Sequence, residues 1–272
     1  MSRTARGAGQ RVPELLALLP FIDTAPRAAR PVVVLSLIAL NSLVFLWMRS
    51  LPTPAVNAVL VHYALIPLRY TDPVLARAEG LDPSNWWPMV TDMFMHGGWL
   101  HVIFNMWFLW IFGPAMEARF GRIGFATLYL AGGVAANLVH LATHPDSVEP
   151  VLGASGAIAA VIAAYAVIYP GARVITIIPI WIIPLFIPVP AFIFAIVWFG
   201  MQILQGSSEL VSPDMAGAVA WWAHIGGFVF GALFALLAGA MGFGVQTSTT
   251  VWAETRGKRV PDVRPSGWDR RW

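Results

Sequence analysis

Six apolar runs, at 31–48, 98–116, 123–141, 155–169, 191–205 and 221–240, constrain this chain more than any other feature. A helix rises 1.5 Å per residue, so about 20 apolar residues cross the roughly 30 Å hydrocarbon layer of a bilayer. Of the 272 residues, 58% are hydrophobic and only 11% charged, against about 25% charged in a soluble domain. That is too little polar surface to cover a water-soluble globule. In lipid, every backbone amide must be paired within its own segment, so consecutive apolar runs of this length become helices. The expected fold class is an all-α membrane protein with six transmembrane helices. The run at 155–169 is short for a full crossing. It is expected to start below the membrane surface or to sit among longer neighbours.

Three segments lie around these spans. Residues 1–30 are basic and read as a flexible cytoplasmic leader, with a short helix at 13–19; a cleaved signal peptide does not fit the long apolar run that follows. Residues 31–243 form the membrane domain. Residues 244–272 are polar and proline-bearing and read as a disordered cytoplasmic tail. The long first loop, 49–96, carries Trp86 and Trp87, and aromatic residues prefer the headgroup level. Residues 170–190 are apolar but hold Pro179, Pro184, Pro188 and Pro190. Proline removes an amide donor and clashes with the preceding turn, so this stretch reads as a cytoplasmic or re-entrant connection. Six spans put both basic ends, Arg119, Arg122 and Arg173 on the cytoplasmic side, as the positive-inside rule requires.

Cysteine is absent, which excludes disulfides, a thiol nucleophile and zinc held by cysteine clusters. The chemistry-bearing residues are Ser155 in Gly153-Ala154-Ser155-Gly156, His101 with Asn105, and His224 ahead of Gly227 and Gly231. All three groups fall near the outer ends of their spans, hence at similar depth. A serine hydroxyl is a weak nucleophile until a base accepts its proton. A histidine suits that task and can return the proton to a leaving amine. His101 and Asn105 are four apart and share one helix face. Their N–H groups, with the Ser155 amide, can form an oxyanion hole. Gly153 and Gly156 let the chain turn and a substrate backbone approach. Glu117 and Asp146 lie away from His224, so the expected unit is a Ser–His dyad without a third acid.

Other readings compete. Gly227 and Gly231 form a Gly-x-x-x-Gly packing face, with Ala159 and Ala163 as candidate partners. His101 and Asn105 lack the carboxylate or cysteine that a metal site would add, so no metal and no cofactor is expected. A small-molecule transporter would show paired inverted repeats and broken helices, and only 170–190 is such a break. A non-catalytic membrane chaperone that binds helices would need no Ser–His pair.

Four segments together resemble the rhomboid family of intramembrane serine proteases. They are His96-Gly-Gly-Trp-Leu-His101-Val-Ile-Phe-Asn105, Gly113-Pro-Ala-Met-Glu117-Ala-Arg119-Phe-Gly121, Gly153-Ala-Ser155-Gly156 and Ala223-His224-Ile-Gly-Gly227-Phe-Val-Phe-Gly231. The resemblance spans about Trp87 to Gly231. It implies a six-helix core with a long interfacial first loop, a dyad of Ser155 and His224, oxyanion donors at His101 and Asn105, and a water-filled cavity open to the outside. Glu117 and Arg119 match a structural motif that anchors helix and loop. Pro88 follows Trp87 where many relatives have Trp-Arg, a departure that bears on loop anchoring and not on the dyad. The implied partners are transmembrane protein substrates and the lipid bilayer of a bacterial cell membrane, not nucleic acid. On the family pattern, Trp198 and Phe199 of the fifth span form a gate against the second.

Overall fold

The computed structural model describes residues 19–28, 30–180, 183–211 and 219–242. The tail at 244–272 and nearly all of the helix expected at 13–19 lie outside the described residues. The chain is an integral, multi-pass membrane protein and mostly helical. Among the described residues, four helices are long and apolar enough to cross a membrane: α1 (Val32–Ser50), α6 (Trp99–Thr143), α8 (Ala191–Val211) and α9 (Trp221–Ala240). Helix α7 (Ser155–Ile168) is apolar and shorter.

The 45 residues of α6 would stretch about 68 Å if straight, more than twice the hydrocarbon thickness. They do not run straight. Gly121 has φ 71° and ψ 176°, a left-handed conformation that costs other residues about 1–2 kcal/mol. The break divides α6 into two arms, 99–120 and 122–143, which are the expected second and third spans. With α1, α7, α8 and α9 the bundle therefore has six helical segments, near the expected bounds.

Helix α7 sits at the centre, buried without interruption from Gly156 to Ala166. Its neighbours are the second arm of α6 and helix α9. A β-carbon added at Gly227 would overlap the carbonyl oxygen of Gly156, and one added at Gly231 would overlap the backbone of Ala160. Gly132 and Ala136 of α6 press on the same two α7 residues. The glycine face therefore meets Gly156 and Ala160, not Ala159 and Ala163. The sequence could not select between these faces, because a helix buried all round has no polar side to mark its orientation.

Glu117, at the far end of the first arm of α6, is buried. Its carboxylate accepts from the amides of Val33 and Val34 at 3.1 and 2.9 Å. Those amides belong to the first turn of α1, which has no side-chain cap of its own. An anion at a helix N-terminus pairs orphan donors and complements the helix dipole. Each amide left unpaired would cost about 1–3 kcal/mol. Glu117 thus ties the far end of this arm to the start of α1.

The long loop after α1 contains α2 (Thr53–Tyr63), α3 (Leu68–Thr71), α4 (Pro73–Ala78), α5 (Pro88–Thr91) and one 3-10 turn (Asp92–Phe94). Three side chains cap successive carbonyls at the end of α2. Arg69 donates to Val61, Asn85 to His62 at 2.8 Å, and Thr91 to Tyr63 at 2.7 Å. The Arg69 side chain is buried. An internal arginine therefore anchors this loop, in which Pro88 follows Trp87. The loop is also stitched to the α6–α7 connection by reciprocal backbone bonds between Leu65 and Val151, at 3.1 and 2.8 Å. Trp86 and Trp87 remain exposed at 61% and 70%.

A small antiparallel sheet joins the leader to the proline-rich connection. Strand β1 (Leu19–Asp23) pairs with β2 (Arg173–Ile180), which pairs with β3 (Ile183–Pro190). The sequence reading has flexible chain and a simple connection here. Proline excludes helix from this stretch, and its run of Ile and Val favours strand. Pro184, Pro188 and Pro190 fall on the edge strand, where no ladder donor is needed. Asp23 ties β1 to the bundle. It accepts from Tyr165 Oη of α7 at 2.7 Å and pairs with Arg27.

Candidate active site

Ser155 is the first residue of α7, and the first helical hydrogen bond there runs from Ile158 N to the Ala154 carbonyl at 2.9 Å. The amides of Ser155, Gly156 and Ala157 precede that bond and point out of the helix start. Gly153, two residues earlier, has φ +132°, in the region that favours glycine. Its amide donates to the Asp92 carbonyl at 2.9 Å. Asp92 Oδ1 in turn accepts from Asn137 Nδ2 at 3.0 Å. Burial pushes the Asp92 carboxyl well above the usual carboxylate range, opposed by the Asn137 hydrogen bond. The turn that presents Ser155 is thus held by the long loop and by the second arm of α6.

His101 stands over this turn. A β-carbon at Gly153 would lie 2.7 Å from His101 Nε2 and 3.6 Å from Ser155 Oγ. The imidazole and the hydroxyl therefore face one point beside the glycine. Asn105, one turn along the same arm, is buried and donates one amide hydrogen to the His101 carbonyl at 2.8 Å. Its second N–H is left for another acceptor. His96 packs edge-on to His101, ring centroids 5.0 Å apart. Both nitrogens of His96 are buried without a hydrogen-bond partner among the described residues.

His224 lies in the first turn of α9. Helices α7 and α9 run parallel, since Gly156 meets Gly227 and Ala160 meets Gly231. A β-carbon at Gly156 would also lie 3.6 Å from the Ala223 carbonyl oxygen. Ser155 and His224 are the immediate neighbours of Gly156 and Ala223, so their turns adjoin. Among the described residues no hydrogen bond joins the two side chains, and such bonds are often long until substrate closes the site. His224 Nδ1 lies 2.8 Å from Gln202 Oε1 of α8. Its ring packs against Trp198 and Trp221, each with centroids 5.9 Å away.

All the residues expected at the site, Gly153, Ser155, Gly156, His101, Asn105 and His224, occupy one end of the bundle. Glu117 lies at the opposite end, and Gly227 and Gly231 hold the helix contact. Trp198 and Phe199 stack on Phe228 of α9, with centroids 6.0 and 4.3 Å away. The aromatic contact between α8 and the first arm of α6 is made instead by Phe194 and Phe112, 5.6 Å apart. A span of aromatic residues presents several candidates, and only the helix rotation selects among them. Gln202 is the site residue that the sequence reading missed. Its signal was a lone amide within the apolar run from Ala191 to Ile203. Among the described residues no group of three metal-binding side chains occurs.

Fold and site together define a multi-pass membrane protein with a polar Ser–His–Asn cluster sunk into one end of a helical bundle. The Rhomboid domain matches residues 83–241, more than half of the chain, and the chain belongs to the rhomboid family. Presenilin-associated rhomboid-like protein A, mitochondrial, from Danio rerio is 31% identical over 207 residues, covering 73% of this chain and 45% of that protein. YdcA of Bacillus subtilis (strain 168), named as a candidate rhomboid protease, is 32% identical over 109 residues, covering 38% of this chain and 54% of that protein. Rhomboid-like protein 11, chloroplastic, of Arabidopsis thaliana is 42% identical over 73 residues, covering 27% of this chain and 26% of that protein. The chain spans about half the length of the first two relatives.

Proposed function

We propose that this protein is an intramembrane serine endopeptidase that cleaves transmembrane helices near their outer ends. The observation that carries the reading is the backbone contact of α7 with α9, which sets the Ser155 and His224 turns side by side beneath His101. In this mechanism His224 accepts the proton of Ser155 Oγ as the oxygen attacks the scissile carbonyl carbon. The oxyanion receives hydrogen bonds from the Ser155 amide, His101 Nε2 and the free N–H of Asn105. His224 then gives its proton to the leaving amine, whose C–N bond breaks. His224 then takes a proton from a water that attacks the acyl carbon and returns it to Ser155 Oγ as the C–Oγ bond breaks and the second product leaves.

The test is labelling by a fluorophosphonate, which reacts with an activated serine. Wild type is expected to label at Ser155. A helix-binding membrane chaperone or a transporter would leave it unlabelled, and that result would overturn the reading.

His101→Ala and Asn105→Ala are expected to lower kcat more than they raise KM. One lost oxyanion donor costs about 2.7–4 kcal/mol in comparable sites, and the remaining donors partly compensate. Normal turnover in both single variants and in the double variant would remove these residues from the oxyanion hole.

We place residues 1–30 and 244–272 in the cytoplasm of a bacterial cell, with 31–243 as the protease domain. The active-site end then faces outward. A substrate helix hides its carbonyls in backbone hydrogen bonds, so its outer end must unwind before Ser155 attacks. Small residues beside the scissile bond and helix breakers below it favour that opening. Moving one cleavable sequence from the outer end of a model span to its cytoplasmic end is expected to stop cleavage. Equal cleavage at both ends would contradict this topology.

A further inference from the structure

We propose that Gln202 is a positioning residue that fixes His224 in the tautomer protonated on Nδ1, so that Nε2 is left as the base for Ser155. The inference rests on the serine protease reading for its catalytic consequence. The tautomer itself follows from hydrogen-bond chemistry alone.

Gln202 is buried in α8, and its side-chain amide has two neighbours. Its Nε2 donates to the Trp198 carbonyl at 3.1 Å. A carbonyl oxygen can only accept, so the atom that faces it must be the amide nitrogen. The other end of the amide is then an oxygen, and it lies 2.8 Å from His224 Nδ1. An amide oxygen also only accepts, so Nδ1 must carry the proton. A neutral imidazole has one N–H, and Nε2 therefore holds the lone pair. Trp198 and Trp221 both pack against the ring and limit its rotation.

This arrangement supplies what an acid supplies in a Ser–His–Asp triad, namely orientation and tautomer, without a charge. Among the described residues no carboxylate pairs with His224. The titratable groups that act on His224 are His101 of the first arm of α6 and His140 of the second. The Nδ1 contact itself is made with Gln202.

The experiment uses the full-length protein in liposomes with a model transmembrane substrate. Gln202→Leu keeps the side-chain bulk but removes the acceptor. It is expected to lower kcat about 100-fold, because an unfixed base loses most of its general-base contribution, while KM stays within about twofold by the same argument. Gln202→Glu keeps an acceptor and adds charge. It is expected to retain cleavage and to move the acidic limb of the kcat/KM profile upward by about one pH unit, since a carboxylate favours the imidazolium. A packing role alone would not move that limb. Wild-type kcat in Gln202→Leu, or an unmoved limb in Gln202→Glu, would overturn the proposal.

Nitrogen-15 NMR of histidine-labelled protein reads the tautomer without any need for activity, with the His224 signal assigned by its loss in His224→Ala. Wild type is expected to show the proton on Nδ1, and Gln202→Leu to lose that preference. A wild-type proton on Nε2 would overturn the proposal. If the Nδ1 proton is present but no fluorophosphonate labels Ser155, the tautomer assignment stands and the protease reading alone fails.

Discussion

Ser155→Ala and His224→Ala are each expected to abolish cleavage of a model transmembrane substrate while the protein still inserts and folds. Removing the nucleophile or the base of a serine protease costs about a million-fold in turnover, so either variant should fall to background. The two differ in stability. Ser155 Oγ makes no side-chain hydrogen bond among the described residues, so its loss leaves no partner exposed. His224→Ala leaves Gln202 Oε1 buried without its donor, which costs about 1–3 kcal/mol. The Ser155 variant should therefore match the wild-type melting temperature in detergent, and the His224 variant should melt lower. Cleavage by purified Ser155→Ala above background would end the assignment.

The second large effect is expected at the glycine contact. Gly231→Ala puts a methyl group into the backbone of Ala160, and Gly227→Ala puts one into the carbonyl of Gly156. Neither obstacle is the end of a flexible side chain, so the helices themselves must separate. Overpacking of this kind costs about 3 kcal/mol or more. Gly227→Ala acts one residue from Ser155 and should also suppress turnover in the fraction that remains folded. Gly239→Ala on the same helix is the control, because nothing lies within 4 Å of a β-carbon there. Thermal unfolding and cleavage measured together distinguish the cases. Wild-type stability in Gly231→Ala would contradict the close approach of α7 and α9.

This contact also shows where sequence reading reached its limit. The Gly-x-x-x-Gly spacing was visible, and so was the short apolar run that carries Ser155. Which face of that run met the glycines was not, since Gly156, Ala159, Ala160 and Ala163 are all small and α7 is buried on every side. The same holds for the aromatic residues of α8, where the family resemblance implied a gate at Trp198 and Phe199 but rotation sends both toward Phe228.

Length, hydropathy and charge determined by themselves that the chain crosses a membrane repeatedly as helices, because lipid allows an apolar backbone few other choices. The positions of Ser155, His224, His101 and Asn105 in their runs likewise pointed to one end of the bundle, because helix rise converts position in a span directly into height. Contacts between segments far apart in the chain were decided only by the tertiary structure. The carboxylate of Glu117 accepts from the Val33 amide, in the first turn of a helix 84 residues away. Arg69 anchors the long loop from inside it. The leader adds a strand to a proline-rich hairpin. Gln202 holds His224 from another helix. Each depends on rotation or register between elements, and a single sequence carries no term for either until the elements pack.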